Sequence, residues 1–259
     1  MNGIDRYSYC SKIRDINPRD KLCLSLFPLF ICICISSFSV SIITILIMAF
    51  LTIRFSGIGY KKYIYLLMIP LGFLILGSIG IMINTIRPGE IFLLGVSVGE
   101  GVYGITEISL FKGINIILRS IGAISCMYFL SLNTTMNSLF IFLRRTKLPV
   151  LIIELMELMY RFVFILWEEG RRIYIAQSSR LGYEGFRNKI SSSSELISVL
   201  FIRAFKRVDR INLALESRGF SGGLNTIAYE TRSSKKLYIY TILISIFQVC
   251  IYFIERLVF

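Results

Sequence analysis

The chain has 259 residues, is 55% hydrophobic and has a mean hydropathy of +0.70. A soluble domain of this size is about 45–50% apolar, and here the excess lies in long runs, which excludes an ordinary water-soluble enzyme and points to lipid as the solvent. The formal charge is +13, yet most Lys and Arg lie outside those runs and no free basic domain flanks them, so basic loops of a membrane protein are favoured over a nucleic-acid binder.

The first twenty residues are polar, and no small-residue cleavage site follows the first apolar run, so no cleavable signal peptide is expected. That run extends from Leu22 to Ile53. As one helix it would be roughly 48 Å long, against a hydrocarbon core of about 30 Å. Two short spans, near 22–37 and 38–54, fit better, with Ser36, Ser37, Ser39 and Ser41 marking the turn. The third span is near 63–83 and contains Pro70, a kink candidate. Segment 84–113 is glycine-rich and is expected outside, followed by a fourth span near 114–132 with Arg119 close enough to its start to snorkel. The fifth span is near 237–254, ahead of Glu255 and Arg256. With the N-terminus inside, Arg6, Lys12, Arg14, Arg19, Lys21, Arg54, Lys61, Lys62 and all of 133–236 fall on the cytoplasmic side, as the positive-inside rule requires. The fold class is therefore an all-α integral membrane protein with about five transmembrane helices. It divides into 1–132 with four spans, a cytoplasmic helical region 133–236, and 237–259 with the last span.

Val150 to Trp167 imitates a sixth span but contains Glu154, Glu157 and Arg161. Each such charge costs about 2.5–3.5 kcal/mol at mid-bilayer, so a cytoplasmic or interfacial helix is expected. Gly99-Glu-Gly101-Val-Tyr-Gly104 matches the dinucleotide signature G-x-G-x-x-G, and Gly95 with Gly99 matches G-x-x-x-G. The first needs a strand before it, a helix after it and a nucleotide-containing compartment, but it lies between two spans on the expected outer side; the second needs an apolar 20-mer but lies in a loop. There is no histidine, and Cys32 and Cys34 form a C-x-C with no second pair. With Cys10, Cys23, Cys126 and Cys250 they read as reduced, apolar-like side chains rather than metal ligands. No metal site, cofactor site or catalytic residue is expected. The spans offer no carboxylate pair and no Ser-His arrangement, which argues against a membrane enzyme.

Region 133–236 is patterned as helices. Thr134 and Thr135 can cap a short amphipathic helix through Leu139, Phe142 and Leu143. Pro149 suits the first turn of a long helix to about Arg180, with Glu157–Arg161 and Glu168–Arg172 as i,i+4 pairs. Ser192-Ser-Ser-Glu195 fits a capping box, followed by one apolar stripe of Ile197, Phe201, Ala204, Val208, Ile211 and Leu215. This helix should stop at Gly219, before Ser221-Gly222-Gly223.

Two endings resemble each other: Ala176-Gln-Ser-Ser-Arg180-Leu-Gly182-Tyr183 and Ala214-Leu-Glu-Ser-Arg218-Gly219-Phe220. Both set an alanine four residues before an arginine at a helix end, with glycine and an aromatic just after. Arginine at a helix C-terminus complements the dipole and glycine caps it. Two exposed arginine tips also suit acidic grooves on a partner, because guanidinium pairs bidentately with carboxylate.

These endings, the basic helical region and Asn17-Pro18-Arg19-Asp20-Lys21-Leu22 before the first span resemble the transmembrane T component of energy-coupling-factor (ECF) transporters, a type of ABC transporter, and most closely its CbiQ-type cobalt transport proteins. The resemblance covers nearly the whole chain. It implies a non-catalytic subunit of a prokaryotic cell membrane that transmits the motion of two ABC-type ATPase subunits to a separate substrate-binding membrane subunit. It implies coupling residues at Ser179-Arg180-Leu181 and Ser217-Arg218-Gly219, where the family often has Ala-Arg-Gly. This chain differs at Ser179, Leu181 and Ser217 and keeps both arginines. No Walker motif is present, so ATP would be bound in trans. Cobalt or nickel is the implied cargo. A T component for a vitamin, or a basic segment that merely anchors the chain to anionic lipid, are the alternatives.

Overall fold

The computed structural model describes residues 5–85, 92–98, 101–219 and 233–258. The chain forms α1 (Asp5–Cys10), α2 (Pro18–Cys34), α3 (Phe38–Ser56), α4 (Tyr60–Met82), strands β1 (Ile83–Thr85), β2 (Phe92–Val98) and β3 (Gly101–Thr106), then α5 (Glu107–Asn133), α6 (Met136–Arg144), α7 (Val150–Ser178), α8 (Phe186–Glu216) and α9 (Lys235–Val258). Residues 1–139 with 229–259 make one compact unit and residues 140–228 another.

In the first unit, α3 and α4 pack on α5, and α2 packs on α5 and α9. Four helices are long and apolar enough to cross a membrane: α3, α4, α5 and the Lys235–Leu257 part of α9. They are the second to fifth of the five spans expected from hydropathy; the first falls on α2, which is not among these four. At 17 residues, α2 is about 25 Å long, the shortest of the five. The break at the serine cluster is real: Ser37 is the N-cap of α3, and its hydroxyl accepts from the Val40 amide at 3.4 Å. Pro70 lies within a continuous α4.

The α3–α5 seam is built from small residues. Buried Ser41, Thr44, Met48, Thr52 and Ser56 line one face of α3. Ser41, Thr44, Thr52 and Ser56 each donate to the carbonyl four residues back, at 2.6–3.0 Å. Their polarity is thus spent within the helix, leaving a thin surface that another backbone can approach closely. Gly122 of α5 lies there, where an added Cβ would stand 3.0 Å from Cys32 Sγ and 3.6 Å from the Ser41 carbonyl. In lipid, packing of this kind replaces the hydrophobic effect as the force between helices. Side-chain bonds cross to α9 at two places, from Gln248 Nε2 to Thr44 Oγ1 at 2.6 Å and from the Ser37 hydroxyl to the Glu255 carboxylate. On α4 only Tyr63 and Ser78 are buried, so most of this apolar helix faces outward from the bundle.

The fourth span starts earlier than hydropathy suggests. Thr106 accepts from the Ser109 amide at 3.3 Å while Ser109 Oγ accepts from the Thr106 amide at 3.0 Å, a reciprocal cap that opens α5 at Glu107. Arg119 is therefore well inside the helix rather than near its start, and its guanidinium donates to Ser36 Oγ at 3.1 Å. The stretch before α5 adds strands to an otherwise helical chain: β1, β3 and β2 form a small antiparallel sheet in that order. Gly104 pairs with Asn84 on one side and Gly95 on the other. Gly101 and Gly104 lie within β3, and Gly95 in β2, where neither a dinucleotide turn nor a helix-dimer motif can form. Gly99 lies outside the described residues.

In the second unit, α7 and α8 meet at Gly170, where an added Cβ would stand 3.1 Å from Leu200. Glu157 does not pair with Arg161 as its spacing suggested. It receives a forked pair from Arg144 at 3.0 and 3.3 Å. Glu168–Arg172 forms as expected, at 2.7 Å. The start of α8 also differs. Gly185, at φ 76°, leads directly into Phe186, so Ser192 to Glu195 sit inside the helix and form no capping box. The apolar stripe does not close the α7–α8 seam: Ile197, Phe201 and Val208 are 65%, 62% and 46% exposed. The seam uses the adjacent face, with Leu200 at Gly170 and Arg203 bonded to Glu169 at 2.5 Å.

Candidate functional site

The two arginine endings have one geometry. At the first, Ser179 is the C-cap in right-handed helical conformation, Arg180 follows, and Leu181 turns left-handed at φ 59°. At the second, Ser217 is the C-cap, Arg218 follows, and Gly219 turns left-handed at φ 66°. The backbone bonds correspond: the Arg180 amide donates to Gln177 and Leu181 to Ser178, as Arg218 donates to Leu215 and Gly219 to Glu216, all at 3.0–3.1 Å. Both serines turn inward. Ser179 Oγ donates to Ile175 and Ala176, and Ser217 Oγ to Ala214, at 3.0–3.1 Å. The arginine is left as the long projecting side chain of each end.

Ser179, Arg180, Leu181, Ser217, Arg218 and Gly219 are all exposed. Among the described residues neither arginine has an ion pair or a side-chain hydrogen bond, whereas Arg144, Arg172 and Arg203 each pair with a glutamate. A free guanidinium over the negative end of a helix is stabilised locally and remains available to an external carboxylate.

The Leu181–Gly182 sequence does not displace the first cap. Leu181 itself takes the left-handed position that glycine normally fills, and Gly182 comes next, its amide reaching back to the Gln177 carbonyl at 2.9 Å. Gly182 is fixed by space: an added Cβ would stand 2.9 Å from both that carbonyl and Ser192 Oγ. Ser192 Oγ donates to the Gly182 carbonyl at 2.6 Å. Tyr183 stacks on Tyr174 with ring centres 4.7 Å apart and donates to Gln177 Oε1 at 2.9 Å. Phe220 and the Ser221-Gly222-Gly223 stretch lie outside the described residues.

The ends are far apart. Arg180 sits in the turn before α8 and Arg218 just after it, so the 31 residues of α8 separate them by roughly 46 Å.

Sequence reading gave little weight to a polar node at the N-terminal motif. Asn17 caps α2 through the Arg19 amide at 3.1 Å, with Pro18 at its first position. Asp20 and Lys21 are 4% and 0% exposed. Lys21 Nζ donates to the Asn133 carbonyl at 3.0 Å and to the Arg14 carbonyl at 3.3 Å. Asp20 Oδ2 accepts from the Ser234 amide at 2.9 Å and from Ser233 Oγ at 3.3 Å. Asn133 is held by Ser11 Oγ at 2.8 Å and donates to Phe129 at 2.9 Å. The signal was the adjacent acid and base one step before an apolar run, a place where free charges would be solvated.

Membrane-spanning helices, together with an exposed helical pair ending in two matched cationic tips, define an integral membrane protein. The sequence model of the CbiQ cobalt transport protein family matches residues 10–229, and the chain belongs to that family. It is similar to the cobalt transport protein CbiQ of Salmonella typhimurium, 31% identical over 222 residues, covering 86% of this chain and 98% of that one. It is 32% identical over 176 residues to a putative fused cobalt transport protein CbiMQ of Methanocorpusculum labreanum, covering 68% of this chain and 29% of that one. It is also 28% identical over 233 residues to the energy-coupling factor transporter transmembrane protein EcfT of Bacillus subtilis, covering 85% and 84%.

Proposed function

We propose that the chain is the transmembrane coupling subunit, or T component, of an ATP-driven ECF importer for cobalt or nickel. The observation that carries this is the pair of geometrically equivalent arginine ends at opposite ends of one helix roughly 46 Å long. A spacing of that size suits two separate bodies, one at each tip. Ser179-Arg180-Leu181 docks one ABC-type ATPase subunit and Ser217-Arg218-Gly219 the other, each arginine entering an acidic groove. Movement of the ATPases then turns α7 and α8, and the bundle passes it to a substrate-binding membrane subunit. The chain itself catalyses nothing. Cobalt as cargo is supported by the relatives named for cobalt transport. The N-terminus and region 133–236 are cytoplasmic, on the charge asymmetry of the loops.

The test is co-purification with a tagged ABC ATPase pair in mild detergent. Wild type is expected to be retained and Arg180→Ala plus Arg218→Ala to be lost. Retention of the double variant would overturn the assignment of the tips. A wild-type chain held by no ATPase, yet bound to anionic vesicles in a salt-sensitive way, would favour the anchor.

A further inference from the structure

Buried charges are costly unless satisfied, and an acid next to a base would most simply satisfy each other. Asp20 and Lys21 do not: among the described residues neither belongs to an ion pair. Each is directed to a different helix end. Lys21 donates to the carbonyl of Asn133, the last residue of α5. Asp20 accepts from the amide of Ser234, one residue before α9 begins at Lys235. A cation at a helix C-terminus and an anion at a helix N-terminus are both favourable to the dipole.

The chain passes from the first unit to residues 140–228 after Leu139 and back at Tyr229. Asn133, the last residue of α5, and Ser234, just before α9, are bundle helix ends on either side of those crossings, and adjacent residues of α2 hold both. We infer that Asp20 and Lys21 are positioning residues, a two-point clamp that fixes these two helix ends and makes α2 the element that receives movement of the 140–228 unit. This rests on the coupling function proposed above. Asn133 supports the clamp from within, its own side chain being bonded to Ser11 and Phe129.

The experiment uses the full chain in complex with its ATPase pair and reads amide hydrogen exchange with and without a non-hydrolysable ATP analogue. In wild type, nucleotide is expected to change exchange at least tenfold both at the Arg180 turn and in residues 18–24. In Lys21→Met and in Asp20→Asn the complex should still be retained and the Arg180 turn should still respond, while the response in 18–24 falls to within twofold of none. Ser233→Ala with Ser234→Pro, which removes both donors to Asp20 and leaves both charges in place, should do the same and guards against misfolding of the charge variants. Exchanging the two residues (Asp20→Lys with Lys21→Asp) should not restore the response, because they do not pair with each other. A nucleotide response in 18–24 that survives these variants, or is missing from wild type, overturns the clamp alone. A wild-type chain retained by no ATPase overturns the coupling function, and the clamp with it.

Discussion

Leu181 bears a cost that its counterpart does not. A side chain in left-handed conformation is disfavoured by about 1–2 kcal/mol, and glycine is free of that penalty. Leu181→Gly is therefore expected to stabilise the first helix end by about 1 kcal/mol, read as slower hydrogen exchange at residues 179–183. Gly219→Ala should have the opposite effect at the second end, by a similar amount. Gly182→Ala should be worse than either, because its Cβ would meet the Gln177 carbonyl and Ser192 Oγ at 2.9 Å. Both arginine centres were legible in the sequence, since alanine four residues before and glycine just after mark helix ends whatever the tertiary structure. The left-handed leucine was not, because nothing in the residue itself requests that conformation. It follows from Gly182, Tyr183 and Ser192 closing on it.

At the scale of elements, hydropathy located the spans well because lipid imposes one rule on every residue that faces it. It located boundaries less well. The first two turns of α5 depend on a Thr106–Ser109 cap that hydropathy does not register. The Ile197–Phe201–Val208 stripe was visible as a period, but a period does not name the surface it meets. In α8 the partner face is set by the close approach at Gly170, which turns the stripe outward. The small-residue face of α3 makes a test of its own. Gly122→Leu would need space that Cys32 and Ser41 occupy, and should cost about 1–3 kcal/mol as overpacking, seen as a lower Tm in detergent. Thr44→Val removes the acceptor of Gln248 inside the bundle and should cost about 1 kcal/mol, with little change in helix content by circular dichroism.

For the whole molecule, the contacts of α2 tie three chain segments to one level of the bundle. Lys12, Asn133 and Ser234 must share one side of the membrane, because α1–α2, the end of α5 and the start of α9 meet there. Cysteines placed at Lys12, Asn137 and Lys235 in a cysteine-free background should all resist a membrane-impermeant thiol reagent in intact cells and all react after permeabilisation. One position reacting alone in intact cells would contradict the bundle.

The left-handed residues at the two arginine ends have a further consequence, in the ease with which each end opens. Gly219 holds its left-handed turn with no side-chain penalty, so the turn that closes the second end is stable by itself. Leu181 holds the same turn under strain and only while Gly182, Tyr183 and Ser192 close on it. An end that stores strain opens at a lower cost than one that does not. The same guanidinium is thus presented twice, once at an end that opens readily and once at an end that resists opening, and two identical partners would not be gripped with equal strength.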